Sequence, residues 1–248
     1  MQKPGPDMRI ALATDAWFPQ VNGVVRSLST TVEHARARGH TVETVTPQQF
    51  LTVPMPGYAE IRLAMAPRFG VRRRLSAFAP DLVHIATEGP IGWAARSWCL
   101  DRGVPYTSAF HTRFPEYASV RTGISAERFW PIMRRFHAQS RAVLVATRSL
   151  ADELAGRGIG HTVRWSRGID RALFRPDGPA HPAMAAMPGP LLLYVGRVAP
   201  EKNLEAFLGL PHPGTKVVVG AGPALDGLRR AFPQAVFLGP LSGDELAS

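Results

Sequence analysis

The strongest constraint on this chain is an alternation. Short apolar runs of strand length recur along it, and most are followed by a stretch with helical spacing. The runs are residues 8–14 (MRIALAT), 41–46, 81–87 (DLVHIAT), 105–110 (PYTSAF), 142–147 (AVLVAT) and 162–165, then 191–195 (LLLYV), 216–219 and 235–238. Such β-α-β succession predicts parallel sheets with helices packed on them, an α/β fold. Helices are expected from Gly23 to about residue 38, with Val24, Val25, Leu28 and Val32 facing inward, and over 67–78, 88–102, 126–140, 149–157, 201–208 and 223–231. Residues 51–58 read as a proline-rich loop and 61–64 as a short strand. Five prolines between 171 and 190 mark a linker, which divides the chain into a unit over 1–172, a linker over 173–190 and a smaller unit over 191–248.

Composition excludes several classes. One cysteine, Cys99, excludes an intrachain disulfide framework and fits a reducing compartment. The N-terminal residues 1–17 hold no apolar core of a signal peptide, and no apolar run reaches membrane-spanning length. The formal net charge of +10 admits nucleic acid, an anionic membrane surface or a phosphate-bearing substrate as partner. An arginine-rich genome would give the same charge with no function attached. The arginines are spread out, with one tight run at Arg72–Arg74, and no nucleic-acid module pattern appears, so nucleic acid ranks last.

Three places carry candidate chemistry. In 191–208 an apolar strand runs through Gly196 and Arg197 into a helix expected from Glu201, with Lys202 at its start and Leu204, Phe207 and Leu208 on one face. Free N–H groups at a helix start, beside an Arg that can fork onto phosphate and a Lys acting as a point charge, suit a diphosphate. The plain alternative is a surface Arg and Lys on an ordinary βα turn. His111 ends the strand 105–110, at the carboxyl edge where open α/β sheets place ligand contacts; the alternative is a turn or capping histidine. Gly23 opens a helix and would let a ligand approach the backbone, unless it is a plain helix start. Arg68 and Arg72–Arg74 make 67–78 a basic helix, suited to anionic headgroups or to plain solvation. Cys99 and His84 read as core residues. The string KVVVGAGPAL (216–225) approaches a dinucleotide fingerprint, but Leu225 holds the third glycine position and no acid follows at the right distance, which argues against a dehydrogenase. There is no H-E-x-x-H, no Cys/His cluster, no G-x-S-x-G and no D-x-D.

VGRVAPEKNLEAF (195–207) resembles the G-R-x-x-x-E-K-(N/G) signature of the family 4 glycosyltransferases, a retaining family of the GT-B fold. TDAWFPQVNGVVRSL (14–28), HTRFPEY (111–117) and WSRGID (165–170) are similar to the same family, in the subset with lipid mannosyl and sulfoquinovosyl transferases. The resemblance implies two Rossmann-like doubly wound domains facing across a cleft, the second incomplete. It implies a transferase moving a hexose, plausibly mannose from GDP-mannose, from a nucleotide diphosphate sugar to a lipid or glycan acceptor. By resemblance His111, Arg197 and Lys202 are catalytic, with Gly23 and Gly196 joining the last two around the diphosphate. Gly220 and Gly222 form a nucleotide-side loop, where Ala221 departs from the family's usual acid. Asn22, Thr112, Arg113 and Tyr117 lie on the acceptor side. No metal or cofactor is expected, in keeping with the absent D-x-D. The expected partners are the nucleotide sugar, the acceptor and an anionic membrane met through Arg68, Arg72, Arg73 and Arg74, with no nucleic acid, in a cytoplasmic protein peripheral at the inner membrane face. The family's donor domain goes on to an E-x7-E signature, which 187–248 does not contain. The alternative is therefore an inactive remnant, or an acceptor- or membrane-binding module.

Overall fold

The first apolar run forms strand β1 (Arg9–Ala13), and its side chains are buried on both faces: Ala11 and Ala13 point one way, Leu12 the other. A strand buried on both sides needs a helical layer on each. A computed structural model describes residues 7–20, 22–55 and 58–248, and divides into two units, Met1–Arg167 and Gly168–Ser248.

In the first unit β1 is followed by α1 (Gly23–Ala37) and β2 (Thr41–Val45). An antiparallel hairpin comes next, β3 (Thr52–Met55) with β4 (Tyr58–Ala64). Then come α2 (Arg68–Phe78), β5 (Leu82–Ile85), α3 (Pro90–Arg102), β6 (Tyr106–Ala109), α4 (Phe114–Thr122), α5 (Trp130–His137), β7 (Val143–Val145), α6 (Arg148–Gly156) and β8 (Thr162–Arg164). Six strands form one parallel sheet in the order β2-β1-β5-β6-β7-β8. The order reverses between β1 and β5, and open α/β sheets open a crevice at the carboxyl ends of strands at such a point.

One face of this sheet packs Ala11, Ala13, Val83, Ile85 and Tyr106 against Val71 and Leu75 of α2, Ile91, Ala95, Trp98 and Cys99 of α3, and Phe136 of α5. The other face packs Leu12 and Val42 against Leu28 and Val32 of α1. Cys99 is a buried core residue, and burial pushes its thiol up to about 12. The start of α3 presses hard on the end of β5: a Cβ on Gly92 would stand 1.9 Å from the Thr87 carbonyl oxygen.

The second unit contains a short helix α7 (Pro182–Ala185), β9 (Leu191–Val195), α8 (Leu204–Leu208), β10 (Thr215–Val219), α9 (Leu225–Ala231), β11 (Val236–Gly239) and α10 (Gly243–Ala247). Its three strands are parallel in the order β11-β10-β9. Val198, Leu204, Leu208, Val218 and Leu228 make its core.

Three expectations need correction. The helix expected over 201–208 is a 3-10 turn (Pro200–Lys202) and a five-residue helix, because Asn203 between them is left-handed at φ 48. The helix expected over 126–140 likewise begins as a 3-10 turn and is regular only from Trp130 to His137. The proline-rich loop contains strand β3, whose Pro54 sits in a two-stranded ribbon that tolerates a missing donor.

The close approach at Gly92 makes a stability prediction. Gly92→Ala should lower the unfolding free energy by about 3 kcal/mol, since backbone must move to admit the methyl. Urea unfolding of both proteins measures this, and a loss under about 0.5 kcal/mol would contradict the packing described.

Candidate active site

The carboxyl edge of the first sheet gathers the loops after β1, β5, β6 and β8. Asp15, just past β1, is buried. Its carboxylate accepts from the Ile91 and Gly92 N–H groups at 2.9 and 3.3 Å and from Thr87 Oγ1 at 2.9 Å. Its own N–H donates to Thr87 Oγ1 at 2.7 Å. The N-terminus of α3 thus already holds an internal anion. Burial pushes Asp15 up to about 6, against the pull of those hydrogen bonds and with help from nearby Glu88. Glu88 Oε1 stands 3.5 Å from Nε2 of the fully buried His137, whose Nδ1 is 2.8 Å from Ser108 Oγ. The Ser108 contact ties α5 to β6, while Glu88 Oε1 and His137 Nε2 make no hydrogen bond.

Asn22 caps α1, its Oδ1 accepting from the Val24 and Val25 N–H groups at 3.0 Å each. Its acceptor atom is therefore spent on the helix, and its amide nitrogen lies 3.4 Å from Gln20 Oε1. Gly23 follows at the start of α1, with room for a Cβ only up to 3.4 Å from Arg167 Nη1.

His111 stands two residues past the end of β6. Its Nδ1 lies 3.4 Å from Arg167 Nη2, and its Nε2 is buried with no hydrogen-bond partner. The Trp165 ring packs 5.5 Å from the His111 ring and 6.1 Å from the His84 ring. His84 is only half satisfied, a correction to its reading as a plain core histidine. Its Nδ1 meets Thr107 Oγ1 at 2.8 Å, while its Nε2 has no partner. Burial pushes both imidazoles down to about 4; Arg167 adds to the effect on His111, and His111 to that on His84.

Of the residues expected beside His111, Thr112 is exposed, and Arg113 is tied to α6 through Glu153, Nη1 to Oε1 at 3.1 Å and Nη2 to Oε2 at 2.5 Å. Tyr117 falls on α4, and its side chain lies outside the described residues. Arg167 was legible only as a letter of the WSRGID string; the fold brings it to His111 and Gly23.

In the second unit Gly196, Arg197 and Lys202 leave the carboxyl end of β9 on one loop. The backbone N–H groups there are not free as expected from sequence. Gly196 donates to Val219 O (3.0 Å), Val198 to Ala221 O (2.9 Å) and Lys202 to Ala199 O (2.9 Å). With α8 five residues long and starting after Asn203, no regular helix begins at Glu201. The Lys202 side chain is exposed, Arg197 is half-buried, and the Arg197 carbonyl accepts from Tyr194 Oη at 2.8 Å. Gly220 and Gly222 have a packing duty: a Cβ on Gly220 would stand 1.8 Å from Gly196 O, and one on Gly222 2.1 Å from Val198 O. Among the described residues no three or more His, Cys, Asp or Glu are grouped to hold a metal ion, and no helix is long and apolar enough to cross a membrane.

The depressed imidazoles imply an acid-sensitive fold. The folded chain keeps His111 neutral down to about 4, while the unfolded chain takes its proton near 6.5. This contribution is whole above 6.5 and is lost as pH falls towards 4. Wild type should therefore lose about 2 kcal/mol relative to His111→Gln between about pH 7.5 and about pH 4.5, measured by denaturant unfolding at each pH. A constant difference would contradict the buried neutral imidazole.

Comparison with known proteins places this geometry. Residues 21–173 match Glycosyltransferase Family 4. A GDP-mannose-dependent alpha-mannosyltransferase of Mycobacterium tuberculosis (strain CDC 1551 / Oshkosh) is 30% identical over 264 residues, covering 97% of this chain and 70% of that protein. Sulfoquinovosyl transferase SQD2 of Arabidopsis thaliana is 27% identical over 267 residues, covering 96% of this chain and 52% of that protein. Among solved structures, Anabaena Alr3699/HepE in complex with UDP and glucose superposes with a TM-score of 0.62 at 14% identity, over 95% of this chain and 70% of that one. An alpha-glucosyltransferase in complex with UDP-glucose and DNA superposes at 0.58 with 9% identity, over 98% of this chain and 69% of that one. Such low identity speaks for fold alone, and that fold is the GT-B glycosyltransferase class. By its family match over most of the first unit and its mannosyltransferase relatives, the chain belongs to Glycosyltransferase Family 4.

Proposed function

We propose that this glycosyltransferase moves mannose from GDP-mannose to a lipid or glycan acceptor, with retention at the anomeric carbon. The observation that carries the donor assignment is the 30% identity to a GDP-mannose-dependent alpha-mannosyltransferase across 97% of the chain. In this reading Arg197 and Lys202 neutralise the charge that builds on the leaving diphosphate, which is where fixed cations lower a barrier most. They do so with side chains, since the loop's backbone donors at Gly196, Val198 and Lys202 are engaged. That assignment gives no step to a metal ion. Gly23, which has no side chain, leaves room for a phosphate at the Asn22-capped start of α1, and His111 offers the Nε2 atom to the donor sugar. Gly196, Gly220 and Gly222 hold the nucleotide-side loops in register, and Thr112, Arg113 and Tyr117 stand on the acceptor side.

Replacing Lys202 tests the diphosphate role, because an exposed side chain can be cut without disturbing the core. Lys202→Ala should lower mannosyl turnover from GDP-mannose roughly hundredfold while shifting the unfolding midpoint little. Turnover equal to wild type would refute the role.

The lipid side of the reading rests on one surface patch. Of the four arginines expected to meet a membrane, Arg72 is paired with Asp101 at 2.6 Å and Arg74 with Glu43 at 3.8 Å. Arg68 and Arg73 remain, and the apolar tips beside them are the stronger feature. Leu51 is 83% exposed, Met65 56% and Phe69 77%. The Met65 N–H donates to Leu51 O at 2.8 Å, so the two are adjacent, and Phe69 follows in the first turn of α2. Apolar tips among arginines fit the interfacial zone of an anionic bilayer. Phe69→Ser combined with Arg73→Glu should cut sedimentation with phosphatidylglycerol vesicles at least fivefold relative to wild type. Equal sedimentation of the two proteins would remove the membrane contact.

A further inference from the structure

Arg167 has no part in the reading above, yet it touches two of its residues. The register of β7 with β8 continues one step past the strand, where the Trp165 N–H donates to Val145 O at 2.8 Å. This anchors residue 165 at the carboxyl edge, with its ring against His111 and His84 and its body in the core beside Leu12 and Leu28. Two residues on, the guanidinium of Arg167 reaches Nδ1 of His111 at 3.4 Å. Its other terminal nitrogen stands 3.4 Å from where Gly23 would carry a Cβ. Among the described residues no carboxylate pairs with Arg167.

A guanidinium carries donors and no acceptor. A nitrogen facing it must therefore offer a lone pair, and the proton of a neutral imidazole must sit on the other nitrogen. In His111 that other nitrogen is Nε2, which is buried without a protein partner. With Nδ1 accepting from Arg167, the ring atom without a protein partner would be an N–H donor.

We propose that Arg167 is a positioning residue that holds His111 in the Nε2–H form, so that the imidazole presents a neutral hydrogen-bond donor to a sugar oxygen and neither gives nor takes a proton. The inference rests on the reading of His111 as a donor-sugar contact, and it names what kind of contact that is. The low titration of His111, caused first by burial and second by Arg167, agrees, since a second proton on Nδ1 would face the guanidinium.

The test reads the tautomer and not the reaction. With histidines labelled with nitrogen-15, long-range proton–nitrogen spectra near neutral pH distinguish Nε2–H from Nδ1–H. Wild type should show His111 as Nε2–H. Arg167→Met should mix the tautomers and raise the His111 titration by about one pH unit or more. Arg167→Lys keeps a donor and a charge, and should restore most of the Nε2–H signal. The His84 tautomer near neutral pH, where Nδ1 meets Thr107 Oγ1 and not Arg167, should stay in place and reports that the variants fold. An unchanged His111 tautomer and titration in Arg167→Met, with the His84 signal intact, would overturn the inference. So would a wild-type His111 in the Nδ1–H form. Neither result depends on which sugar or acceptor the protein uses, so failure of the mannosyl reading would be seen separately in turnover.

Discussion

The carboxylate of Asp15 is the interaction on which the first unit's site depends. It stands at the reversal of strand order between β1 and β5, where a doubly wound sheet leaves a crevice for ligands. Instead of a ligand, the start of α3 meets this side chain, which takes the Ile91 and Gly92 N–H groups and the Thr87 hydroxyl. The arrangement joins β1, the loop after β5 and α3 in one buried contact. It costs desolvation, seen in a carboxyl raised to about 6. Removing one partner of such a contact would leave the others buried and unpaired, which is the expensive outcome.

With that position filled internally and the α1 start capped by Asn22, unspent polar atoms are displaced along the edge. Those at the edge include His111 and His84, each with an unpartnered Nε2, near Arg167. Trp165 links the two imidazoles and keeps them out of bulk water. The second unit follows a different logic. Its loops pack backbone to backbone, Gly196 on Gly220 and Val198 on Gly222, with Arg197 and Lys202 carried on the same loop.

Much of this was legible in residue order. Apolar runs at 8–14, 41–46, 81–87 and 105–110 became β1, β2, β5 and β6, because strands buried on both faces leave a continuous signal. The misread elements had local chemistry that masked their period. Asn203, an unremarkable letter inside an apparent helix, takes the left-handed conformation and splits it. Pro54 hid strand β3 within an antiparallel ribbon, and Pro115 beside Phe114 hid the start of α4, where a proline in the first turn is well tolerated. At the site, His111 was legible from its place after a strand. Arg167 was not, because its partners lie 56 residues away in His111 and further still in Gly23, a juxtaposition that only the sheet order creates. Arg72 and Arg74 looked free for the same reason: Asp101 and Glu43 are distant in sequence.

The central claim is that this chain, a member of Glycosyltransferase Family 4, receives a nucleotide sugar, and calorimetric titration of GDP-mannose into the protein tests it most directly. The account predicts saturable one-to-one binding that weakens as salt is raised, since the exposed Lys202 and half-buried Arg197 would meet the diphosphate by charge. Heats no larger than dilution at millimolar GDP-mannose, or binding indifferent to salt, would contradict it.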